Sequence, residues 1–134
     1  IPHAVPKVFF DHCGNTDKCA DGPLRLLFVG EVSAKKGIGV LLELMKDWAS
    51  RDIELTVIGT GPLAAELEKN SPPGVQYLGP IRDRKLLAQK MSEHDVLLVP
   101  SQRTDGWEEL FGIVIVEAIA AGLAVLASDH VGPR

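Results

Sequence analysis

The chain has 134 residues, 46% hydrophobic and 24% charged, and a formal net charge of −4 from 14 Lys and Arg against 18 Asp and Glu. That length and balance suit one soluble domain with its own core. The acidic excess removes the clustered basic surface that holds polyanions, so nucleic acid is not an expected partner. The longest apolar stretch, FGIVIVEAIAAGLAVLA, is interrupted by Glu117 and Gly122 and falls short of the ~20 apolar residues of a membrane helix. With no secretory leader evident either, a cytoplasmic location is expected.

Residues 1–23 are rich in Pro, Gly, Asp and Cys and fit no element pattern; they read as a lead-in segment or interdomain linker. Cys13 and Cys19, with His3 and His12 nearby, lack four ligands at zinc spacing, so no metal is expected and the two thiols read as ordinary ones. From Leu24 onward short apolar runs alternate with amphipathic stretches, the pattern of a βαβ architecture. The strands are expected in LRLLFVG, IELTVIG, VQYLG, VLLVPS and AVLASD. Helices are expected at Gly37–Ala49, Pro62–Asn70, Asp83–His94 and Phe111–Ala121, each bounded by Gly, Pro, Asp or Ser.

Five strands joined by four helical crossovers imply a parallel sheet. Continuous V/I/L runs, rather than alternating ones, imply helices on both faces. The expected fold is therefore an α/β, doubly wound, Rossmann-like domain over 24–134. Ligands of such sheets bind outside the carboxyl ends of the strands, so the informative loops are GEVSAKKG, GTGP, GPIRD and SQRTDGWEELFG. One of them, in VIGTGPLAAELE, places Gly59, Gly61 and Ala64 in the G-x-G-x-x-G/A pattern of a dinucleotide site. It follows the second strand rather than the first, Pro62 removes an N–H from its turn, and the next strand ends in YLG with no acid for a ribose. Glycines that permit a tight strand-to-helix turn explain it better.

WEELFGIVIVEA carries Glu109 and Glu117 with seven residues between them. A helix starting at Phe111–Gly112 would aim its first N–H groups into the strand-end crevice as an anion site. Glu109 would lie just ahead of it and Glu117 six residues inside, roughly 9 Å along the axis. Two acids flanking one phosphate site could each hold hydroxyls. The alternative is that Glu109 only favours the helix N-terminus and Glu117 faces solvent. Against it, IVIV before Glu117 and AIAAGLAVLA after it leave little solvent-facing surface, and a carboxylate in that setting needs a partner.

The segment PSQRTDGWEELFGIVIVEAIAAGLAVLASDHVGPR resembles the signature of retaining glycosyltransferases of the GT-B fold, specifically the large fourth family of nucleotide-sugar-dependent enzymes. LRLLFVGEVSAKKG is similar to that family's first donor-domain strand and loop, VIGTGP to its second strand-turn, VQYLGPIRDRKL to its third, and IPHAVPKVFF to the linker entering its C-terminal domain. The resemblance covers nearly the whole chain. It implies the C-terminal, donor-binding half of a GT-B enzyme, incomplete at its own C-terminus and without the N-terminal acceptor-binding domain. It assigns Glu117 to the ribose hydroxyls and Glu109 to the hydroxyls of the transferred hexose. It places Leu110, Phe111 and Gly112 as main-chain contacts to sugar and phosphates, Lys36 on the diphosphate leaving group, and Gly79 to Ile81 against the base. A UDP-sugar or GDP-sugar is then the co-substrate, with no cofactor, and no metal is expected because no Asp-x-Asp cluster closes a strand.

The sequence departs from that family at one position, where Glu31 stands in place of the arginine that usually pairs with the lysine. A carboxylate beside a diphosphate is repulsive, so weak donor affinity is expected unless Lys35, Arg103 or Arg134 compensates. Alone, the chain is expected to bind donor without turnover. An uncovered sheet edge would favour a homodimer, and a full-length enzyme could associate peripherally with a membrane. The competing readings are an NAD-binding module using Gly59 and Gly61, and a catalytically empty interaction module.

Overall fold

A computed structural model describes residues 22–101 and 113–128. In chain order the elements are β1 (Leu24–Val29), α1 (Ile38–Asp47), β2 (Ile53–Ile58), α2 (Ala64–Asn70), β3 (Val75–Gly79), α3 (Arg84–Ser92), β4 (Val96–Val99), α4 (Ile113–Ala120) and β5 (Ala124–Ala127). All pairings are parallel and the strand order is β3-β2-β1-β4-β5. This is the Rossmann-like, doubly wound arrangement expected from the alternation of elements.

The strands sit where apolar runs leave no polar face to wet. Leu26 to Phe28, Leu55 to Ile58 and Leu97 to Val99 are all buried, as central strands covered on both sides require. Successive side chains then feed two separate cores. Leu26, Phe28, Leu55 and Val57 pack with Ile38, Leu41 and Met45 of α1 and Leu67 of α2. Leu27, Ile58, Leu97 and Val99 pack with Leu87, Ala88 and Met91 of α3 and Ala118 and Ala120 of α4. Helices α1 and α2 therefore cover one face, and α3 and α4 the other.

Helix bounds follow local chemistry. Asp83, expected inside the third helix, is instead the N-cap of α3, its Oδ1 accepting from the Lys85 N–H at 2.9 Å and the Leu86 N–H at 3.4 Å; an Asp cap of this kind is worth ~1 kcal/mol. Gly37 caps α1 at φ 87° rather than forming its first turn. At the amino end of the sheet, Asp95 ties β4 to β1. Its side chain accepts from the Arg25 N–H at 2.9 Å, and its own N–H donates to the Arg25 carbonyl at 2.8 Å.

The expectation of full helical cover fails at one place among the described residues. Over β4 and β5 the α1 side of the sheet is open, forming an apolar groove of about 360 Å³ lined by Val40, Leu44, Trp48, Leu98 and Leu126. Leu126 is 65% exposed there.

Candidate functional site

The strand order reverses between β1 and β4, whose pairing runs Leu26 to Val96 and Leu27 to Leu97. In an open parallel sheet the crevice beyond the carboxyl ends at that point is where ligands bind. The rim of this crevice is tied together by main chain. Gly30 N–H donates to the Ile58 carbonyl, Val32 N–H to the Thr60 carbonyl and Leu63 N–H to the Val32 carbonyl, each at 3.0 Å. Gly59 N–H donates to the Gly79 carbonyl at 2.9 Å. On the other side, Ser128 Oγ donates to the Ser101 carbonyl at 2.7 Å.

These contacts account for Gly59 and Gly61. A Cβ on Gly59 would overlap the Gly30 carbonyl, and one on Gly61 would fall on the Val32 backbone. Both glycines are spent on seating the β2–α2 loop against the β1–α1 loop, which leaves the dinucleotide pattern with a packing explanation.

Lys36 lies in the β1–α1 loop at the reversal point, half-buried, its N–H donating to the Ser33 carbonyl at 3.3 Å. The next residue, Gly37, fits against Pro100 so closely that a Cβ would overlap the Pro100 carbonyl. The loop bearing Lys36 is thereby held against the segment that follows β4. Glu31, in the same loop, is exposed, accepts from Ser33 Oγ at 3.0 Å and pairs with Lys35 Nζ at 3.7 Å. Of the three cations considered as its compensation, Lys35 is the one paired with it here; Arg103 and Arg134 lie outside the described residues.

Glu117 is 4% exposed on α4, among neighbours of the core that it shares with α3. The expectation that it is buried and therefore needs a partner holds. That partner is Arg84, whose Nη2 donates to Glu117 Oε2 in an ion pair. Burial pushes the Glu117 carboxyl above its ordinary value, and the Arg84 charge and hydrogen bond oppose that rise. Relative to Ile113, the first described helical residue, Glu117 is four positions in, roughly 6 Å along the axis.

Arg84 was absent from the sequence-derived candidates, although it stands in a strand-end region already marked for attention. It opens α3, five residues after Gly79 and three after Ile81. Gly79 has φ 75° and open space where a Cβ would point. Ile81 is partly buried against the core on the α3–α4 face. The ion pair thus joins the β3–α3 loop, expected to meet a base, to the carboxylate expected to meet a ribose. The remaining candidates, Glu109, Leu110, Phe111 and Gly112, lie outside the described residues, as do Cys13 and Cys19. No group of three His, Cys, Asp or Glu side chains able to hold a metal occurs among the described residues, and no described helix is long and apolar enough to cross a membrane.

Comparison with known proteins bears on the same region. Residues 23–134 match the family model described as glycosyl transferases group 1. The amylovoran biosynthesis glycosyltransferase AmsK of Erwinia amylovora is 33% identical over 82% of this chain, which spans 29% of that protein's length. Among solved structures, the C-terminal domain of a glycosyl transferase group 1 family protein (LpcC) from Francisella tularensis superposes with a TM-score of 0.70 at 20% identity, covering 96% of this chain and 71% of that one. Anabaena Alr3699/HepE, solved in complex with UDP and glucose, gives 0.65 at 19% identity, covering 96% of this chain and 35% of that one.

Proposed function

Because the chain belongs to the glycosyl transferases group 1 family, we propose that it is the donor-binding part of a retaining GT-B glycosyltransferase of the fourth family, taking a nucleotide diphosphate hexose. The observation that carries this reading is Glu117. A carboxylate 4% exposed at the carboxyl end of a parallel sheet, joined through Arg84 to the loop after β3, is suited to accept the two hydroxyls of a ribose. The binding of UDP and glucose by a solved protein of the same fold agrees with it.

In this reading Gly79 to Ile81 offer main chain to the base, and Lys36 with the N–H groups near Leu110, Phe111 and Gly112 neutralises the diphosphate as it departs. Glu109 holds the hexose hydroxyls. Fixed charge aimed at a leaving group is where such a site contributes most to rate, so no protein nucleophile is required. The chain spans less than a third of AmsK, and on its own it binds donor without transferring it. Strand β5 is paired to β4, and association of two copies along the β5 edge belongs to the same reading.

The test is a titration of the isotopically labelled chain with UDP-, GDP- and ADP-sugars and with NAD, following backbone amide shifts. One sugar nucleotide should move Gly112, Lys36 and Ile81 together and identify the base. A folded spectrum in which NAD alone moves the Gly59–Gly61 amides, or in which no ligand moves any, refutes the reading.

A further inference from the structure

We infer that Arg84 is a positioning residue for nucleotide binding, its guanidinium fixing the Glu117 carboxylate in place to receive ribose hydroxyls. The inference rests on the donor-site reading above and adds to it a residue on a different helix.

Three observations converge on Arg84. First, its partner is 5% exposed while Arg84 itself is 50% exposed. The half-exposed cation reaches down to a buried acid. Second, the acid next to Arg84 in the chain is already engaged elsewhere. Arg84 is the first residue of α3, beside the Asp83 cap, whose Oδ1 already accepts from the Lys85 and Leu86 N–H groups and so offsets the partial positive charge of the helix end. Asp83 serves the helix end, and Glu117 is the buried acid that the Arg84 guanidinium engages. Third, the bond links the two segments that would contact base and ribose, so nucleotide would settle against a loop and a carboxylate already in register.

The geometry also leaves the acid able to work. Arg84 engages Oε2, and a carboxylate has lone pairs on both oxygens, about four acceptor sites in all. Charge-assisted bonds from two vicinal hydroxyls are stronger to an ionised carboxylate than to a neutral acid. Burial opposes ionisation at Glu117, and the Arg84 charge and hydrogen bond work against that. A direct role for Arg84 on phosphate would predict a different dependence on the ligand, and that difference decides the test.

The 134-residue chain is titrated calorimetrically with UDP, GDP and ADP, and the nucleotide that binds is compared with its 2′,3′-dideoxy analogue. The proteins are wild type, Arg84→Ala, Arg84→Lys, Glu117→Gln and the double variant Arg84→Ala/Glu117→Gln. Arg84→Ala should weaken the ribonucleotide by about tenfold, leave the dideoxy analogue unchanged, and add nothing to Glu117→Gln. Arg84→Lys, which keeps the charge, should recover part of the loss and serves as the folded variant if alanine proves unstable. The inference is overturned if Arg84→Ala weakens both ligands equally, which marks direct contact, or neither ligand while Glu117→Gln still weakens the ribonucleotide. In that last case the ribose role of Glu117 stands. If Glu117→Gln changes nothing, or no nucleotide binds the wild type, the donor-site reading itself falls and this inference with it.

Discussion

Removing Arg84 and removing the charge of Glu117 should have unequal effects on stability, and the inequality should depend on pH. In Arg84→Ala the carboxylate stays 4% exposed and loses its cation. Breaking a fully buried pair from one side costs ~3–5 kcal/mol, and a hydrogen bond to a charged group nets ~1.5–3 kcal/mol. Arg84 is half exposed, so the lower range applies, about 2 kcal/mol at pH 8. For a chain of this length that is a fall in Tm of roughly 6–10 °C. Glu117→Gln keeps an amide oxygen that can still accept the bond from the half-exposed Arg84, and should cost at most about 1 kcal/mol.

The pH dependence has a definite sign. The folded Glu117 carboxyl lies above its ordinary value of 4.5, so the folded state binds this proton more tightly than the unfolded one. Its contribution is present below 4.5 and is lost as pH rises through the folded value. Without Arg84 the folded value rises further, so the variant loses more stability over the same interval. The gap between wild type and Arg84→Ala should therefore widen from pH 5 to pH 8. His94 slopes the other way: burial lowers it from 6.5, and its contribution is lost as pH falls below 6.5. It is common to both proteins and cancels in the difference. Urea unfolding at pH 5, 6.5 and 8 measures the gap. A gap that is flat, or narrows toward pH 8, refutes the assignment of Arg84 as the partner that keeps Glu117 charged.

Other consequences follow from single contacts. Gly61→Ala, whose Cβ would meet the Val32 backbone, should cost about 1–3 kcal/mol in urea unfolding; an unchanged midpoint would show that the two loops are not in contact. Glu31→Arg replaces an exposed acid held by Ser33 and Lys35 and should tighten nucleotide diphosphate about threefold to tenfold by calorimetry, whereas an unchanged Kd would mean that Glu31 already turns away from the ligand. Sedimentation velocity should show a concentration-dependent dimer that Leu126→Lys shifts to monomer; a wild-type chain that stays monomeric removes the edge association.

Much of this was legible in the sequence because the signals were redundant. Most strands were both apolar V/I/L-rich runs and bounded by turn residues, and VQYLG of β3 was marked by its bounding Pro and Gly, so each position survived errors of one or two residues at the ends. Burial of Glu117 was legible for the same reason, since IVIV and AIAAGLAVLA allow α4 almost no polar face. Arg84 was not, because its significance is a contact between residues 33 positions apart. The chain shows only a basic residue at a helix start. The route to it existed: right-handed crossovers place α3 and α4 on the same face, so a long side chain opening α3 could reach α4. Gly59 and Gly61 show the converse, a local pattern shared by phosphate loops and by loops that press backbone on backbone, which only the Gly30 and Val32 contacts distinguish.

The Arg84–Glu117 pair also bears on why α4 carries an acid at all. A buried ion pair is weak support for a fold, since well-packed apolar residues of similar volume are often as stabilising or more so. The described residues of α4 other than Glu117 are Ile, Val and Ala, and Leu87, Ala88 and Met91 of α3 meet that helix through an apolar core. A leucine or methionine at 117 would continue the same surface. Packing therefore does not call for this carboxylate. What the pair supplies that an apolar residue would not is a carboxylate acceptor held by a cation on α3, which is what the proposed ribose role would call for.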